Sequence, residues 1–477
     1  MDSRYELVIG LETHARVGSK TKLFCGCTNA VELATTPNSN VCPVCMGFPG
    51  MLPVVSAEVV DLSVRIAHAL RCKDIHATSN FDRKSYFYPD LPNGFQITQL
   101  FHPIAEHGEV KAFVGTELKT FRIHRMHMEN DAGKLVHEGG KSLVDLNRAG
   151  SPLVEIVTEP DFRSKEDVVD YLRELQKNLR FCGGSDADMD KGQMRCDVNI
   201  SVRKKGETAL RNRVELKNIN SFGAISRAID AEQKRQIEIY EGGGTITQET
   251  RGWDDVEGSS HSLRSKEDAM DYRYFPEPDL PPLVLSQAFI DERAVGQLPI
   301  DRREKYLKDY KLLEDDARIL SEDRALSDWF EKLVELSLDP KKSCSYVTTT
   351  LFPLVQKRDD KSWGGFKFDV SEVAAVIKMQ NASELSSTGA KTVVETLFNE
   401  GGMAAEIVER LGLKQVSDTG ALQKVVDAVL AASSSQIDQY KSGKTNLFGY
   451  FVGQCMKQSQ GKGNPQIFTE LIKAKIG

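Results

Sequence analysis

Ile9-Gly10-Leu11-Glu12-Thr13-His14-Ala15-Arg16 carries the period of a β-strand. Counting from Tyr5, the residues Tyr5, Leu7, Ile9 and Leu11 fall on one face, while Glu12, His14 and Arg16 share the other. A carboxylate, an imidazole and a guanidinium two residues apart on a pleated surface point the same way, at roughly 6 to 7 Å per step. Two readings fit such a face: metal and phosphate chemistry, or the solvated side of an antiparallel sheet.

Similar strands recur further along. Arg195 to Arg203 alternates with Cys196, Val198, Ile200 and Val202 inward and Arg195, Asp197, Asn199 and Ser201 outward. Arg213 to Asn218 presents Arg213, Glu215 and Lys217, and pairing these two segments as a hairpin makes their charged faces coincide. Around Arg122 to Asp131, His127 and Glu129 share a face, and short strands broken by Gly150 and Pro152 run from Leu143 to Val157. Between the strands, the periodicity predicts amphipathic helices over Ser56 to Arg71, Ser164 to Leu179 and Ser221 to Glu241, with Ser56 and Ser164 as N-caps. Phe81 to Gln96, with its charges, aromatics and Pro/Gly turn, reads as a loop held by a scaffold.

Nine cysteines are present, five scattered singly, so no disulfide framework is implied. The other four form Cys25-Gly26-Cys27, then, fourteen residues on, Cys42-Pro43-Val44-Cys45. Two tight turns supplying four thiolates are the arrangement of a tetrahedral zinc site. With all four positions taken by sulfur, such a site is structural.

The totals bound the rest. At 477 residues with a net charge of −7, the chain exceeds one core and is not a uniformly basic nucleic-acid binder. No run of about 18 apolar residues predicts a transmembrane helix, and Met1 to Arg4 leads straight into the first strand. The expectation is a soluble intracellular protein with no membrane contact, of a bacterial cytoplasm, a chloroplast stroma or a mitochondrial matrix. One basic stretch stands out: six lysines against two acids between Asp438 and Gly477, interleaved with Tyr440, Phe448, Tyr450, Phe451 and Phe468. It fits a nucleic-acid contact or a solvated helical face. A domain boundary is expected near Asp291 to Val295, with a mostly helical remainder. The phosphate-loop pattern is missing, because Gly140-Lys141-Ser142 and Gly443-Lys444-Thr445 both lack the upstream glycine.

Long strings, taken in order, resemble the B subunits of the bacterial and organellar aspartyl/glutamyl-tRNA amidotransferases: VIGLETH (8–14), NVCPVCMGFPGMLPV (40–54), FDRKSYFYPDLPNGFQIT (81–98), HMENDAGKLVH (127–137), LVDLNRAGSPLVEIV (143–157), MRCDVNISVR (194–203), VELKN (214–218), DYRYFPEPDLPPL (271–283) and GYFVGQCMKQSQGKGNPQ (449–466). The resemblance covers essentially the whole chain. It implies an α+β fold: a cradle domain over 1–293 with an antiparallel or mixed sheet and the zinc knuckle, an all-α domain over 294–405, and a small helical YqeY-like tail over 406–477 that touches tRNA.

The implied activity is that of an ATP-dependent, glutamine-hydrolysing ligase working as a heterotrimer. The cradle uses ATP and Mg2+ to phosphorylate the Asp or Glu side chain on a mischarged tRNA. Ammonia from the glutaminase A subunit then displaces the phosphate, with a C subunit completing the assembly. By similarity, Glu12, His14, Glu129 and Glu215 are expected at the catalytic metal, a hard ion that takes mainly oxygen ligands. Arg16, Lys84 and Arg148 are expected at phosphate or channel contacts, and Lys457 and Lys462 at tRNA phosphates. The chain departs from the family in reading Glu129-Asn130-Asp131 where two glutamates and an aspartate are usual, which puts Asn130 in question as a ligand. The alternative is a non-catalytic tRNA-binding platform with a structural zinc.

Overall fold

The computed structural model describes residues 4–265, 271–415, 419–459 and 463–476. The chain divides into two compact units, Met1–Ile300 and Asp301–Gly477.

The first unit is built on a nine-stranded sheet. Its strands in chain order are β1 (Tyr5–Arg16), β2 (Asp74–Ile75), β3 (Ala105–Val114), β4 (Glu117–Asn130), β5 (Pro152–Thr158), β6 (Met194–Lys204), β7 (Val214–Lys217), β8 (Glu249–Asp254) and β9 (Ser259–Ser265). Across the sheet they run β9-β8-β7-β6-β1-β5-β4-β3-β2. The β7–β8 pair is parallel and the others are antiparallel, so the sheet is mixed. The opening stretch therefore lies in the interior of the sheet, between two strands that are both remote from it in sequence.

The sheet's apolar face takes the helices α1 (Ala57–Ala69), α2 (Lys165–Phe181) and α3 (Phe222–Glu241) into one core. Tyr5, Leu7, Ile9 and Leu11 are all buried there. Phe121 stacks on Phe162 with centroids 4.5 Å apart, and Tyr171 of α2 meets both rings edge-on. The expected stripe Val168, Leu172, Leu175 and Leu179 is fully buried. Ser164 and Ser221 cap α2 and α3, each hydroxyl accepting from a backbone N–H three residues on. Ser56 precedes α1 without capping it; its hydroxyl lies 3.3 Å from that of Thr21 instead.

The region expected as a loop over 81–96 is in fact strand-bounded. Asp82–Ser85 and Phe95–Thr98 pair antiparallel, and Phe275–Pro276 adds a third strand beside Asp82 and Arg83. Charge satisfaction lets so polar a segment hold this shape. Arg83 donates two hydrogen bonds to the buried Glu277 and one to Asp279, and its guanidinium lies 4.1 Å from the Phe95 ring centre.

The second unit is helical, with two cores. One lies among residues 306–408 and includes Leu326, Phe330, Val373, Ile377, Val393 and Leu397. The other lies among 422–476 and includes Val426, Phe451, Cys455, Phe468 and Ile472. Phe451 and Phe468 are thus core residues of the tail, and among the described residues Lys441, Lys444, Lys457, Lys473 and Lys475 are exposed. Among the described residues no helix is long and apolar enough to cross a membrane.

Candidate active site

The sheet's second face is where strand register turns sequence spacing into a site. Antiparallel pairing sets His14 opposite Arg195 of β6 on one side and Glu155 of β5 on the other, and Glu155 opposite His127 of β4. One step along, Glu12 lies opposite Asp197 and Val157. Asn199 lies opposite Glu215 of β7. Side chains of one row on one face converge across neighbouring strands.

The result is a cavity of about 310 Å³ lined by Glu12, His14, Lys84, Arg125, His127, Glu129, Glu155, Asp197, Glu215, Lys217, Tyr272 and Tyr274, among others. Five carboxylates face three permanent cations here, an excess of negative charge that suits a divalent cation. His14 Nε2 lies 3.4 Å from Glu129 Oε1 and 3.3 Å from Glu155 Oε2. Ligand atoms of these three residues lie within 4.8 Å of one another, near enough to share one ion. His127 Nε2 lies 3.3 Å from Glu155 Oε2, and its other ring nitrogen is buried without a hydrogen-bond partner among the described residues.

The charges bias each other strongly. Burial alone would lower the His14 pKa, but the hydrogen bond to Glu155 and the charges of Glu129 and Glu155 outweigh it and push it up to about 9. Burial would raise Glu155, yet His127 and His14 hold it well below the usual carboxylate range. Glu12 moves up, first through burial and then through the nearby charges of Glu155 and Glu215. Lys217 is held above the ordinary lysine range by Asp197 and Glu215, against the effect of burial.

The expected site residues separate into two groups. Glu12, His14, Glu129, Glu215 and Lys84 all line this cavity. Within it, His14 and Glu129 join Glu155 as the close triad, while Glu12 accepts from Asn199 Nδ2 at 3.0 Å and Glu215 accepts from Thr250 Oγ1 at 2.7 Å. Lys84 points its ammonium at the Tyr272 ring, 4.9 Å from its centre. Arg16 is instead paired with Glu32. Arg148 bonds Asp131 and the carbonyls of Ala132 and Gly133, tying down the turn after β4. Asn130 does not face the cavity: its amide oxygen accepts from the Ile97 N–H at 2.7 Å and its carbonyl from Gln96, so it ties β4 to the Phe95–Thr98 strand. Lys457 is exposed on the helix Phe448–Gln458, and Lys462 lies outside the described residues.

Glu155 escaped the reading of the residues. It is the lone charge in Leu153-Val154-Glu155-Ile156-Val157, and a carboxylate in an otherwise apolar central strand is itself a signal of function.

The four clustered cysteines also converge. Their sulfur atoms lie within 4.8 Å of one another and can hold a metal ion. The Cys42 N–H donates to Cys45 Sγ at 3.2 Å. Cys45 is shifted down to about 4, chiefly by a hydrogen bond from Cys25, while burial and the neighbouring thiols push Cys27 up to about 11.

Two family profiles match the chain: one described as "GatB/GatE catalytic domain" over residues 7–291 and one described as "GatB domain" over 328–476. Proteins named as the B subunits of aspartyl/glutamyl-tRNA(Asn/Gln) amidotransferases are similar along their full length. That of Myxococcus xanthus is 44% identical, covering 100% of this chain and 99% of the relative. Those of Picosynechococcus sp. and Persephonella marina are 42% and 43% identical, at 99% and 98% of this chain and 98% and 99% of the relative.

Proposed function

The chain belongs to the family of aspartyl/glutamyl-tRNA(Asn/Gln) amidotransferase B subunits, and from that premise we propose that its sheet cavity activates the side-chain carboxylate of Asp or Glu carried on a mischarged tRNA. In this reading a carboxylate oxygen attacks the γ-phosphorus of ATP and ADP leaves. Ammonia from a glutaminase A subunit then adds to the acyl carbon, and phosphate leaves as Asn-tRNA or Gln-tRNA forms. The observation that carries the reading is the convergence of His14, Glu129 and Glu155 in an acidic cavity that also holds Lys84, Arg125 and Lys217.

Phosphoryl transfer asks a protein for positioning and charge stabilisation more than for covalent chemistry. The donor set fits a divalent ion such as Mg2+, held by His14, Glu129 and Glu155, which when bound supplies neutralisation of phosphate charge. Glu12 and Glu215 orient groups at the same cavity. Lys84, Arg125 and Lys217 place positive charge where phosphoryl oxygens develop negative charge. The tyrosines Tyr272 and Tyr274 close one side and limit the water available to an acyl phosphate.

The cysteine cluster is assigned to a structural zinc, since four thiolates fill a tetrahedral shell. We place the chemistry in 1–293, a helical domain in 294–405 and a tRNA-contacting tail with Lys457 and Lys462 in 406–477. The chain works with A and C subunits, in a bacterial cytoplasm or an organelle.

The test uses purified assembly carrying Glu12→Ala. ATP turnover that depends on mischarged tRNA should be lost, while glutamine hydrolysis by the A subunit alone persists. Native ATP turnover would overturn the catalytic reading and leave a tRNA-binding platform.

A further inference from the structure

Among the largest fully buried side chains of the protein is a lysine, Lys22, with no exposed surface at all. It lies in the segment that leads into the cysteine cluster. Its Nζ donates to the carbonyl of Asn40 at 2.9 Å and to Cys45 Sγ at 3.6 Å. Neither of these partners is a carboxylate. An ammonium removed from water without an anionic partner costs several kcal/mol, so a buried lysine placed this way needs negative charge beside it. The cysteine sulfurs are the groups that can supply it.

The surroundings hold the lysine in place. The Lys22 N–H donates to the Cys27 carbonyl, closing the first cysteine turn, and the Leu23 N–H donates to Gly150. Asn40 is fixed in turn, its N–H donating to Asn147 Oδ1 at 2.8 Å and its side-chain amide to the Thr28 carbonyl. Gly150, at φ +85°, backs the pair: a Cβ there would stand 3.5 Å from Cys45 Cβ and 3.6 Å from Lys22 Cδ. The ammonium is thus aimed at the sulfur by elements from both ends of the cysteine segment and by the turn that leads into β5.

We propose that Lys22 is a charge-compensating positioning residue of the tetrathiolate metal site. The inference rests on the reading of the four cysteines as a zinc site. Four neutral thiols that give up their protons to hold a divalent ion leave a net charge of minus two on the cluster. An adjacent buried ammonium favours that charged, metal-loaded state over the neutral, metal-free one.

The test uses the full-length chain, wild type and the neutral variants Lys22→Met and Lys22→Gln, the second keeping a hydrogen-bond donor without the charge. Zinc release to a chromogenic chelator is timed, and the sulfur-to-metal charge-transfer band is recorded after replacement of zinc by Co2+. Both variants should release zinc roughly tenfold faster or more. Their charge-transfer band should move to longer wavelength, because sulfur electrons are held less tightly once the cation is gone. A merely structural role would leave that band in place. Wild-type release rates with an unmoved band in a folded variant overturn the proposal. Should neither variant fold, a crystal structure of the zinc-loaded wild-type chain decides, and an Nζ turned away from Cys45 overturns it. A wild-type chain that takes up no zinc defeats the zinc reading itself, a different failure from normal zinc uptake with no effect of Lys22.

Discussion

His14 and Glu155 face each other across adjacent antiparallel strands, with Nε2 3.3 Å from Oε2, and Glu155 is shared on its other side with His127 at the same distance. A carboxylate held between two imidazoles stays ionised when buried, and an ionised carboxylate is what a hard cation requires.

Removing that charge should therefore weaken the proposed ion site directly. Glu155→Gln keeps the shape of the side chain but offers only an amide oxygen. Its affinity for Mn2+, used as a probe for Mg2+ and followed by electron paramagnetic resonance, should fall by roughly tenfold or more. An unchanged affinity would place the ion elsewhere.

The raised pKa of His14 gives a stability prediction for the ion-free chain. Its folded value of about 9 lies above the ordinary 6.5, so the charged imidazole stabilises the fold fully below about 6.5, and this contribution is lost as pH rises through about 9. The gap in urea midpoint between wild type and His14→Gln should be widest near pH ~6 and narrow towards pH ~10. A gap that widens with pH would contradict the assignment.

Cys42→Ser removes one of four thiolates from a closed shell. Metal content, measured by emission spectrometry on the isolated chain, should drop from about one equivalent of zinc to a small fraction of that. Wild type without metal would refute the zinc reading.

Arg83 anchors the Phe275–Pro276 strand through Glu277, whose side chain has no exposed surface. Arg83→Ala leaves that carboxylate buried and short of its guanidinium, a change that typically costs about 3–5 kcal/mol. Chemical denaturation should show a loss of that order. A change within about 0.5 kcal/mol, the usual range for surface sites, would mean that water replaces the guanidinium.

In the tail, Lys457, exposed on its helix, and Lys462 are the proposed phosphate contacts. Changing Lys457 and Lys462 together to Ala should weaken tRNA binding by the assembly and reduce its salt slope by about 2, one unit per contact. Weaker binding with the slope intact would point to misfolding of the tail instead.

The polar face of β1 is legible in the sequence because its other face is buried, which fixes the parity of every residue from Tyr5 to Arg16. The pairing of 195–203 with 213–218 is legible for the same reason. What sequence does not supply is the neighbour on the other edge. Nothing local in Leu153 to Val157 says that Glu155 will stand beside His14, because that depends on a register between distant strands. The 81–96 segment reads as a loop because its third strand, Phe275–Pro276, comes from far along the chain. Asn130 reads as a candidate ligand by its neighbour's chemistry, but strand parity sends it to the opposite side from Glu129.

The interior position of β1 also has a bearing on how the protein is made. Its two neighbours, β5 and β6, lie far downstream, so a nascent chain carries Glu12 and His14 on a strand with both edges bare until residues near 204 leave the ribosome. Contacts of such long sequence separation form slowly, and bare strand edges invite pairing with other chains. Newly made protein should depend on chaperones during that interval, and the acidic face comes into being only when the last of these distant strands has docked.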